Sequence, residues 1–420
     1  MAKSPEKRYN SAAMKNEKNK TVVVGITGRI DSVVAAYLLK KQGFSCIGIC
    51  IQQLDVQKGG PHADKMMGQC HVKQIAQVQR ICNELEIPFY AVNAHELFSA
   101  NVIDLVVARR LSGESFSPCV SCNKMKIELL WDKAQKLGAS WIATGHYAKI
   151  GLNQKTNERY LVSAGAIEED QSILLSGIEP KYLENLLLPL GDMRKTEVEK
   201  IAASLNMGLT STEISLKQCF DDYNSVSKYI DTHVAKSLRQ EGDVINAEDG
   251  SILSSHSGIY RYRLGQDKVM GKEDSLPVPP HLKVISLNTL QRRVYVANVP
   301  GLEFDFAFVN KFTSTFEIDW SKPIAAYAQI YGFKDRIPCL MSMKTNQSVL
   351  LEFSGKHYAF FTSGISVAIY NKPIPGAKLL GAGILGQIGI FQKVDRTNWS
   401  EEKMDDKREK LKKLKEVSHF

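Results

Sequence analysis

The chain has 420 residues, too many for one ordinary core, so two or three domains are expected. Its 44% hydrophobic and 24% charged content is that of a globular protein, and no apolar stretch is long enough to span a bilayer, so no membrane segment is expected. The formal charge of +9 leans towards an anionic partner such as nucleic acid, although Lys3, Lys7, Arg8, Lys15, Lys18 and Lys20 place part of it in the first twenty residues.

Residues 1–20 read as a basic flexible tail. They hold no apolar core, are rich in lysine rather than arginine, and contain acids, so neither a secretory signal nor an organelle transit peptide is expected. A cytoplasmic location follows, and there the eight cysteines are expected as thiols rather than structural disulfides.

From 21 to about 150, apolar β-rich runs alternate with helical patterns. Strands are expected at 21–26, 45–51 (SCIGICI), 89–94 (FYAVNA) and 140–147 (SWIATGHY). Helices are expected around 31–42, 72–86 and 123–137, with Gly43 and Gly138 as C-terminal stops. Because the strands are apolar throughout rather than alternating, they fit a parallel sheet covered on both faces. The fold class is therefore α/β, a doubly wound parallel sheet that keeps its ligand site at the carboxyl ends of the strands. Further helical patterning at 179–188 and 195–206 extends this first domain over 21–220. A small central domain is expected over 221–280, followed by a proline-marked linker at 275–283 (SLPVPPHLK). The short strand patterns RRVYVANV, FAFVNKF, SVLLEFSG and HYAFFTSGISVAIYN then predict a small β-barrel or sandwich over 281–398. Residues 399–420 read as a charged, solvated tail.

Residues 25–32, GITGRIDS, join a strand to a helix. Such a turn can aim backbone N–H groups and a helix N-terminus at a phosphate, with the Thr27 and Ser32 hydroxyls as added donors and Asp31 as a cap or a partner of a metal–phosphate group. It lacks the Gly-Lys-Ser/Thr ending of a Walker loop, and alone it is as compatible with a plain strand–turn–helix corner as with a nucleotide site. Cys119 and Cys122 form a CxxC in SPCVSCNK, and Cys219 stands far away in KQCFDD. Zinc would need two more ligands at short spacing, and no matching CxxC or HxxxH pair follows, though His62, Cys70 and His71 could be recruited. Sulfur handling suits a CxxC at a loop–helix junction, where thiolates are nucleophilic and a pair can resolve a persulfide; the plain alternative is a pair of buried thiols. Cys46, Cys50, Cys82 and Cys339 sit in apolar runs and read as core. Gly145-His146 ends a strand at the sheet edge where ligands sit, although a lone His146 there is more often structural than catalytic. The residues alone lead to an α/β nucleotide-binding enzyme with a thiol site.

Taken together, GITGRIDSVVAAYLL, PCVSCNKMK, LGASWIATGHYAKI, DQSILLSG, PLGDMRKTEVEKIA, QCF, GIYRYRLGQ and LLGAGIL resemble, in this order, the tRNA-specific 2-thiouridylases, the MnmA family. The resemblance covers about 21–390 and implies a pyrophosphatase-type (PP-loop) ATP domain, a small central domain and a C-terminal β-barrel. It implies that ATP adenylates O2 of the wobble uridine of certain tRNAs and that a cysteine persulfide, charged by a sulfur-donor protein, supplies sulfur. Carried over, ATP and Mg²⁺ would be held at Gly25, Thr27, Gly28, Arg29, Asp31, Ser32, Ile51 and Gly145, with Asp31 assisting the metal-bound phosphates. Cys219 would bear the persulfide and Cys122 would assist release. Ser117, Pro118, Cys119, His146, Glu169, Asp170 and Gln171 would face the tRNA, whose target base must be flipped into the pocket.

Several positions depart from the family pattern. Arg29 stands where the family has a second glycine, where close backbone approach and positive φ are wanted; its side chain either folds outward to meet a phosphate or blocks the pocket. Glu169 replaces a lysine, reversing a charge expected beside RNA. Ile214 replaces an aspartate, AQIYG (328–332) an Arg-Tyr-Arg stretch, and Ile365 a glutamine. These losses keep two rivals in view: a paralogue that binds tRNA or a sulfur carrier without adenylating, and an ATP-dependent sulfurtransferase with another substrate.

Overall fold

The computed structural model describes residues 20–54, 75–209, 219–220, 223–267, 269, 271, 278–314, 316–345 and 347–390. They fall into two compact units, one built from 20–54, 75–97 and 123–209, the other from 98–122 and 219–390. The longer helices are α1 (Ile30–Lys41), α2 (Ile75–Glu84), α3 (Asp104–Leu111), α4 (Pro118–Lys136), α5 (Lys195–Ser204) and α6 (Tyr223–His233).

The first unit contains β1 (Thr21–Gly25), β2 (Ser45–Gln52), β3 (Phe89–Asn93), β4 (Trp141–Ala143), the antiparallel hairpin β5 (Ala148–Leu152) and β6 (Arg159–Ser163), and β7 (Leu186–Leu187). Five strands form one parallel sheet in the order β3-β2-β1-β4-β7. Val22, Val23 and Val24 of β1 are wholly enclosed, because helices cover both faces and leave no side for a polar residue. The middle of helix α1, Val33 to Leu39, is apolar on several faces because it packs on two sides. Its Val33, Ala36 and Leu39 pack with Val22, Val24 and Ile81, while Ile30, Val34 and Ala35 pack with Tyr147, Leu190, Val198 and Ala202. Gly43 and Gly138 close α1 and α4 with φ of +83° and +67°, the left-handed conformation expected of glycine just past a helix.

Three expected elements take a different form. The strand expected over 140–147 stops at Ala143, and 144–147 form a loop before Ala148 opens β5. Of 179–188 only Pro180–Leu183 is helical; Leu186–Leu187 instead pairs with Ile142 and Ala143, since a short apolar run is decided by tertiary pairing rather than by its period. The helix expected from 123 begins at Pro118, a residue suited to a first helical turn because its missing N–H would lack an intrahelical partner anyway.

In the second unit β8 (Gly242–Asn246), β9 (Ile252–His256), β10 (Lys283–Asn288) and β11 (Arg293–Ala297) form a sheet in the order β10-β11-β8-β9, with β11 parallel to β8. Strands beyond residue 280 thus share a sheet with strands before it. The strands β12 (Leu302–Thr313), β13 (Ile324–Ile330), β14 (Arg336–Thr345), β15 (Ser348–Ala359), β16 (Ser366–Tyr370) and β17 (Leu379–Gly389) form a closed antiparallel barrel. Pairing of β12 with β17 closes it, which removes the unpaired edges a sandwich would leave. Phe304, Val309, Met341, Leu351 and Ile369 fill its core. Of the drifted AQIYG stretch, Ala328 and Ile330 belong to that core and Tyr331 is buried beside it.

Candidate functional site

In the first sheet the strand order reverses at β1, which has β2 on one side and β4 on the other. Ligands of open parallel sheets sit at the carboxyl ends of the strands flanking such a switch point. The loop 25–32 leaves β1 there, and the loop 144–147 leaves β4 beside it.

Gly28 takes φ +80°, whereas Arg29, the N-cap of α1, has φ −89° and ψ 155°. The positive φ expected at position 29 falls on Gly28 instead, and Arg29 occupies extended backbone that any L-residue adopts. The loop is then tied to itself. The Thr27 N–H donates to Ser32 Oγ at 3.1 Å, the two side-chain oxygens are 3.1 Å apart, and Ser32 Oγ donates to the Arg29 carbonyl at 3.0 Å. Ser32, expected as a phosphate donor, spends its proton on shaping the turn. The first N–H groups of α1 lack intrahelical acceptors by construction and lie at this end of the loop. Ile51, near the end of β2, is 8% exposed and part of the core.

Gly145 meets the start of α1 so closely that a β-carbon would lie 2.7 Å from the Asp31 carbonyl carbon. Next to it, His146 Nδ1 and Thr144 Oγ1 are 2.9 Å apart. The Asp31 carboxylate receives two donors on one oxygen: Lys195 Nζ at 2.5 Å and the Tyr147 hydroxyl at 2.8 Å. Lys195 is 7% exposed and Tyr147 1%. Burial first, and the Asp31 charge second, push the Tyr147 phenol far above its ordinary value, so it stays protonated and donates. Neither Lys195 nor Tyr147 stood out in the sequence, although both lie in quoted family segments, PLGDMRKTEVEKIA and ATGHYAKI.

The stretch 169–171 is largely engaged within the protein. Glu169 Oε1 accepts the Lys195 backbone N–H at 2.6 Å, so the reversed charge stands at the N-terminus of α5, where a helix favours an anion. Asp170 accepts the N–H groups of Ala164 and Ser172 at 2.9 and 3.1 Å, and the Ser172 hydroxyl at 2.9 Å. Gln171 pairs with Tyr147 through both its backbone N–H and its side-chain oxygen, at 2.8 and 3.1 Å.

In the second unit, Pro118 and Cys119 open α4, with Cys119 half-buried and Cys122 6% exposed. Ser117 is buried and its hydroxyl accepts the Ser366 N–H at 2.8 Å, while the Ser115 N–H donates to the Ser363 carbonyl at 2.9 Å. These bonds fix the approach to the cysteine-bearing turn against the barrel loop that holds Ile365. Cys219 is 5% exposed and precedes Phe220, whose φ of +69° is uncommon for an aromatic residue. Buried Arg110 donates from Nη2 to the Phe220 carbonyl at 3.3 Å and so anchors that conformation. A cavity of about 280 Å³ opens there, lined among others by Arg109, Arg110, Pro118, Cys219, Arg263 and Phe333. Cys219 and Pro118 therefore border one space. His62, Cys70, His71 and Ile214 lie outside the described residues. Among the described residues no group of three or more potential metal ligands converges, and no helix is long and apolar enough to cross a membrane.

Comparison with known proteins gives these sites a context. A family model described as "tRNA methyl transferase HUP domain" matches residues 20–222. Among full-length relatives, the tRNA-specific 2-thiouridylase MnmA of Clostridioides difficile (strain 630) is 30% identical over 369 residues, covering 87% of this chain and 98% of its own. MnmA 2 of Clostridium tetani (strain Massachusetts / E88) is 33% identical over 369 residues, again 87% of this chain and 98% of its own. MnmA of Clostridium beijerinckii (strain ATCC 51743 / NCIMB 8052) is 32% identical over 373 residues, 88% and 99%. Matches that run through both units and nearly the whole of each relative place the chain in one family: it belongs to the tRNA-specific 2-thiouridylases, the MnmA family.

Proposed function

We propose that the chain is a cytoplasmic tRNA-uridine 2-sulfurtransferase that uses ATP to 2-thiolate the wobble uridine of tRNA. The observation that carries this reading is the intact backbone of the loop at the switch point. Gly28 supplies the only left-handed residue among 25–32, Arg29 is unstrained, and Gly145 packs directly on the backbone of the first turn of α1. Those residues fit a nucleotide: Gly25, Thr27 and Gly28 would border its phosphates, and Gly145 keeps side-chain bulk away from them. Mg²⁺ would accompany the phosphates, and Asp31 would meet that group through Oδ2, because Oδ1 already accepts two hydrogen bonds. When bound, ATP would supply the adenylyl group that makes the uridine O2 a leaving group. Cys219 would carry sulfur from a persulfide donor protein, with Cys122 assisting release; thiols are the chemistry this step requires. Ser117, Pro118, Cys119, His146, Glu169, Asp170 and Gln171 would face the tRNA, and Ser117, Glu169 and Asp170 also brace their own loops through hydrogen bonds within the protein.

The test is thiolation of an unmodified wobble-uridine tRNA transcript with ATP, Mg²⁺ and a persulfide donor, read by mass spectrometry of digested nucleosides. The expected result is ATP-dependent 2-thiouridine that disappears in Cys219→Ser and Cys122→Ser. Product from Arg29→Gly but none from the native protein would mean that the arginine side chain closes an otherwise competent site. Silence from both, with tRNA still bound, would favour the paralogue that no longer adenylates.

A further inference from the structure

We infer that the cavity beside Cys219 binds a small anion that carries a transferable sulfur, thiosulfate, and that Cys219 takes sulfur from it without a donor protein. The inference rests on the reading of Cys219 as the sulfur-carrying thiol.

The cavity lies wholly within the second unit and measures about 280 Å³. That is just below the ~300–1,000 Å³ in which drug-sized ligands are held. Leu264, Phe333 and Phe360 give it carbon surface. Against those walls stand three guanidinium groups, of Arg109, Arg110 and Arg263, and among the described lining residues one carboxylate, Glu114. Cys219 is the one cysteine in that lining.

Two of the arginines are held in place. Arg109 pairs through Nη1 with Glu114, and buried Arg110, in the last turn of α3, donates from Nη2 to the Phe220 carbonyl at 3.3 Å. A guanidinium carries five N–H donors in a rigid fork, so it serves several acceptors at once and a first bond sets the direction of the rest. The Arg110 bond falls on the residue after Cys219, which it holds at φ +69°. One contact therefore fixes both the cation and the backbone that carries the thiol. Arg263 is exposed, on the solvent side of the lining.

These features select a donor. The arginines favour a dianion over a neutral sulfur compound, and apolar walls strengthen that attraction. Only 5% of Cys219 is exposed, so a persulfide fixed on a folded protein meets it only along the cavity, whereas an anion of a few atoms enters freely. The step balances without a further reagent. The Cys219 thiolate attacks the outer sulfur of thiosulfate, a new S–S bond forms on Cys219, and the S–S bond of thiosulfate breaks. Sulfite leaves with that bond's electron pair, and Cys219 is left as a persulfide. The guanidinium groups offset the repulsion between a thiolate and a dianion and then hold the departing sulfite.

The experiment mixes full-length protein, its thiols reduced, with rising thiosulfate in the absence of ATP and tRNA. Sulfite is measured against time, and the Cys219 peptide is weighed by mass spectrometry. The expected result is saturable sulfite release with one added sulfur on Cys219, both absent in Cys219→Ser. Arg263→Gln, a change at an exposed position, should raise the half-saturating thiosulfate by about tenfold while the limiting rate changes by less than about threefold, the scale of one lost charge-assisted contact. Arg263→Lys should recover part of the loss, and sulfate, a dianion with no sulfur to give, should compete in the native protein. No sulfite from the native protein, equal release by Cys219→Ser, or unchanged half-saturation in Arg263→Gln would overturn the inference. Should Arg263→Gln not fold, failure of sulfate to compete would overturn it. Sulfate binding without sulfite release from thiosulfate would also overturn it and leave a plain anion site, suited to an RNA phosphate. Thiosulfate that charges Cys219 in a protein unable to thiolate tRNA would uphold the inference and remove the tRNA reading. Thiolation from a donor protein with no sulfite from thiosulfate would remove the inference alone.

Discussion

Gly145 and Asp31 touch through their backbones: a β-carbon on Gly145 would stand 2.7 Å from the Asp31 carbonyl carbon and 2.8 Å from its oxygen. The loop after β4 therefore acts as a wall against the start of α1, and the two can close only while position 145 has no side chain. Gly145→Ala is expected to push α1 back, at a cost of about 1–3 kcal/mol for overpacking. ATP affinity should fall by at least about tenfold, because the helix N-terminus moves with it. Urea unfolding and ATP titration of the variant check this; native affinity in Gly145→Ala would show that the contact does not position the loop.

The opposite expectation attaches to the residue that looks most foreign. Arg29 has φ −89° and Gly28 has φ +80°, with a would-be β-carbon 3.2 Å from Val78 Cγ2. Gly28→Ala should therefore destabilise the first unit by about 1–2 kcal/mol, the scale of a left-handed non-glycine residue. Arg29→Gly, at an N-cap in extended conformation, should change stability by about 0.5 kcal/mol or less. Thermal melts of the two variants decide it. If Arg29→Gly stabilised the protein strongly, the arginine backbone would be strained after all.

The contrast shows how far the sequence could be read. The parallel sheet was legible because Thr21–Gly25 and Ser45–Gln52 are apolar at nearly every position, a pattern that fits a doubly covered sheet when such runs alternate with helical patterns. The barrel strands were legible from spacing, but closure was not, since pairing of Phe306 with Gly389 is a long-range fact with no local signal. The loop glycine at 28 and the thiols at 122 and 219 could be named from their neighbours. Lys195 could not: it lies 164 residues from Asp31, and nothing in a helix-starting Arg-Lys-Thr-Glu run marks one lysine as buried. Burial and partner choice belong to tertiary structure, so a site built on a distant ion pair is half hidden in any single sequence.

His256 gives the second unit a pH dependence. It is fully buried; the Gly258 N–H reaches its Nδ1 at 3.1 Å, and Nε2 lies 3.1 Å from the Arg292 carbonyl. Both ring nitrogens are thus satisfied in the neutral form, and burial lowers its pKa despite the Arg292 carbonyl and the charges of Asp243 and Glu241. The unfolded chain takes up a proton near pH 6.5 while the folded chain does not. The resulting stability is complete above that value and is lost as pH falls through it towards the folded pKa, by up to about 1.4 kcal/mol per unit. Unfolding measured between pH 7.5 and 5.5 should lose this component in His256→Gln. An identical pH slope in native protein and variant would contradict the assignment.

The cysteines should separate by reactivity. Burial pushes the thiols of Cys46 and Cys50 up to about 11 and that of Cys82 up to about 12, with a neighbouring Cys50 adding to the last, and Cys339 is raised further inside the barrel. At pH 8 such groups carry on the order of one thiolate in a thousand or fewer, and the thiolate is the nucleophile. Cys119, in the first turn of α4, is half-buried rather than enclosed. Brief iodoacetamide treatment of the native protein, followed by peptide mass spectrometry, should therefore label Cys119 at least about tenfold faster than any of these four, and the four should label only in denaturant. Cys82 labelling as fast as Cys119 would mean that the sheet opens around β2 and α2 in the native state, and the packing described for that face would have to be revised.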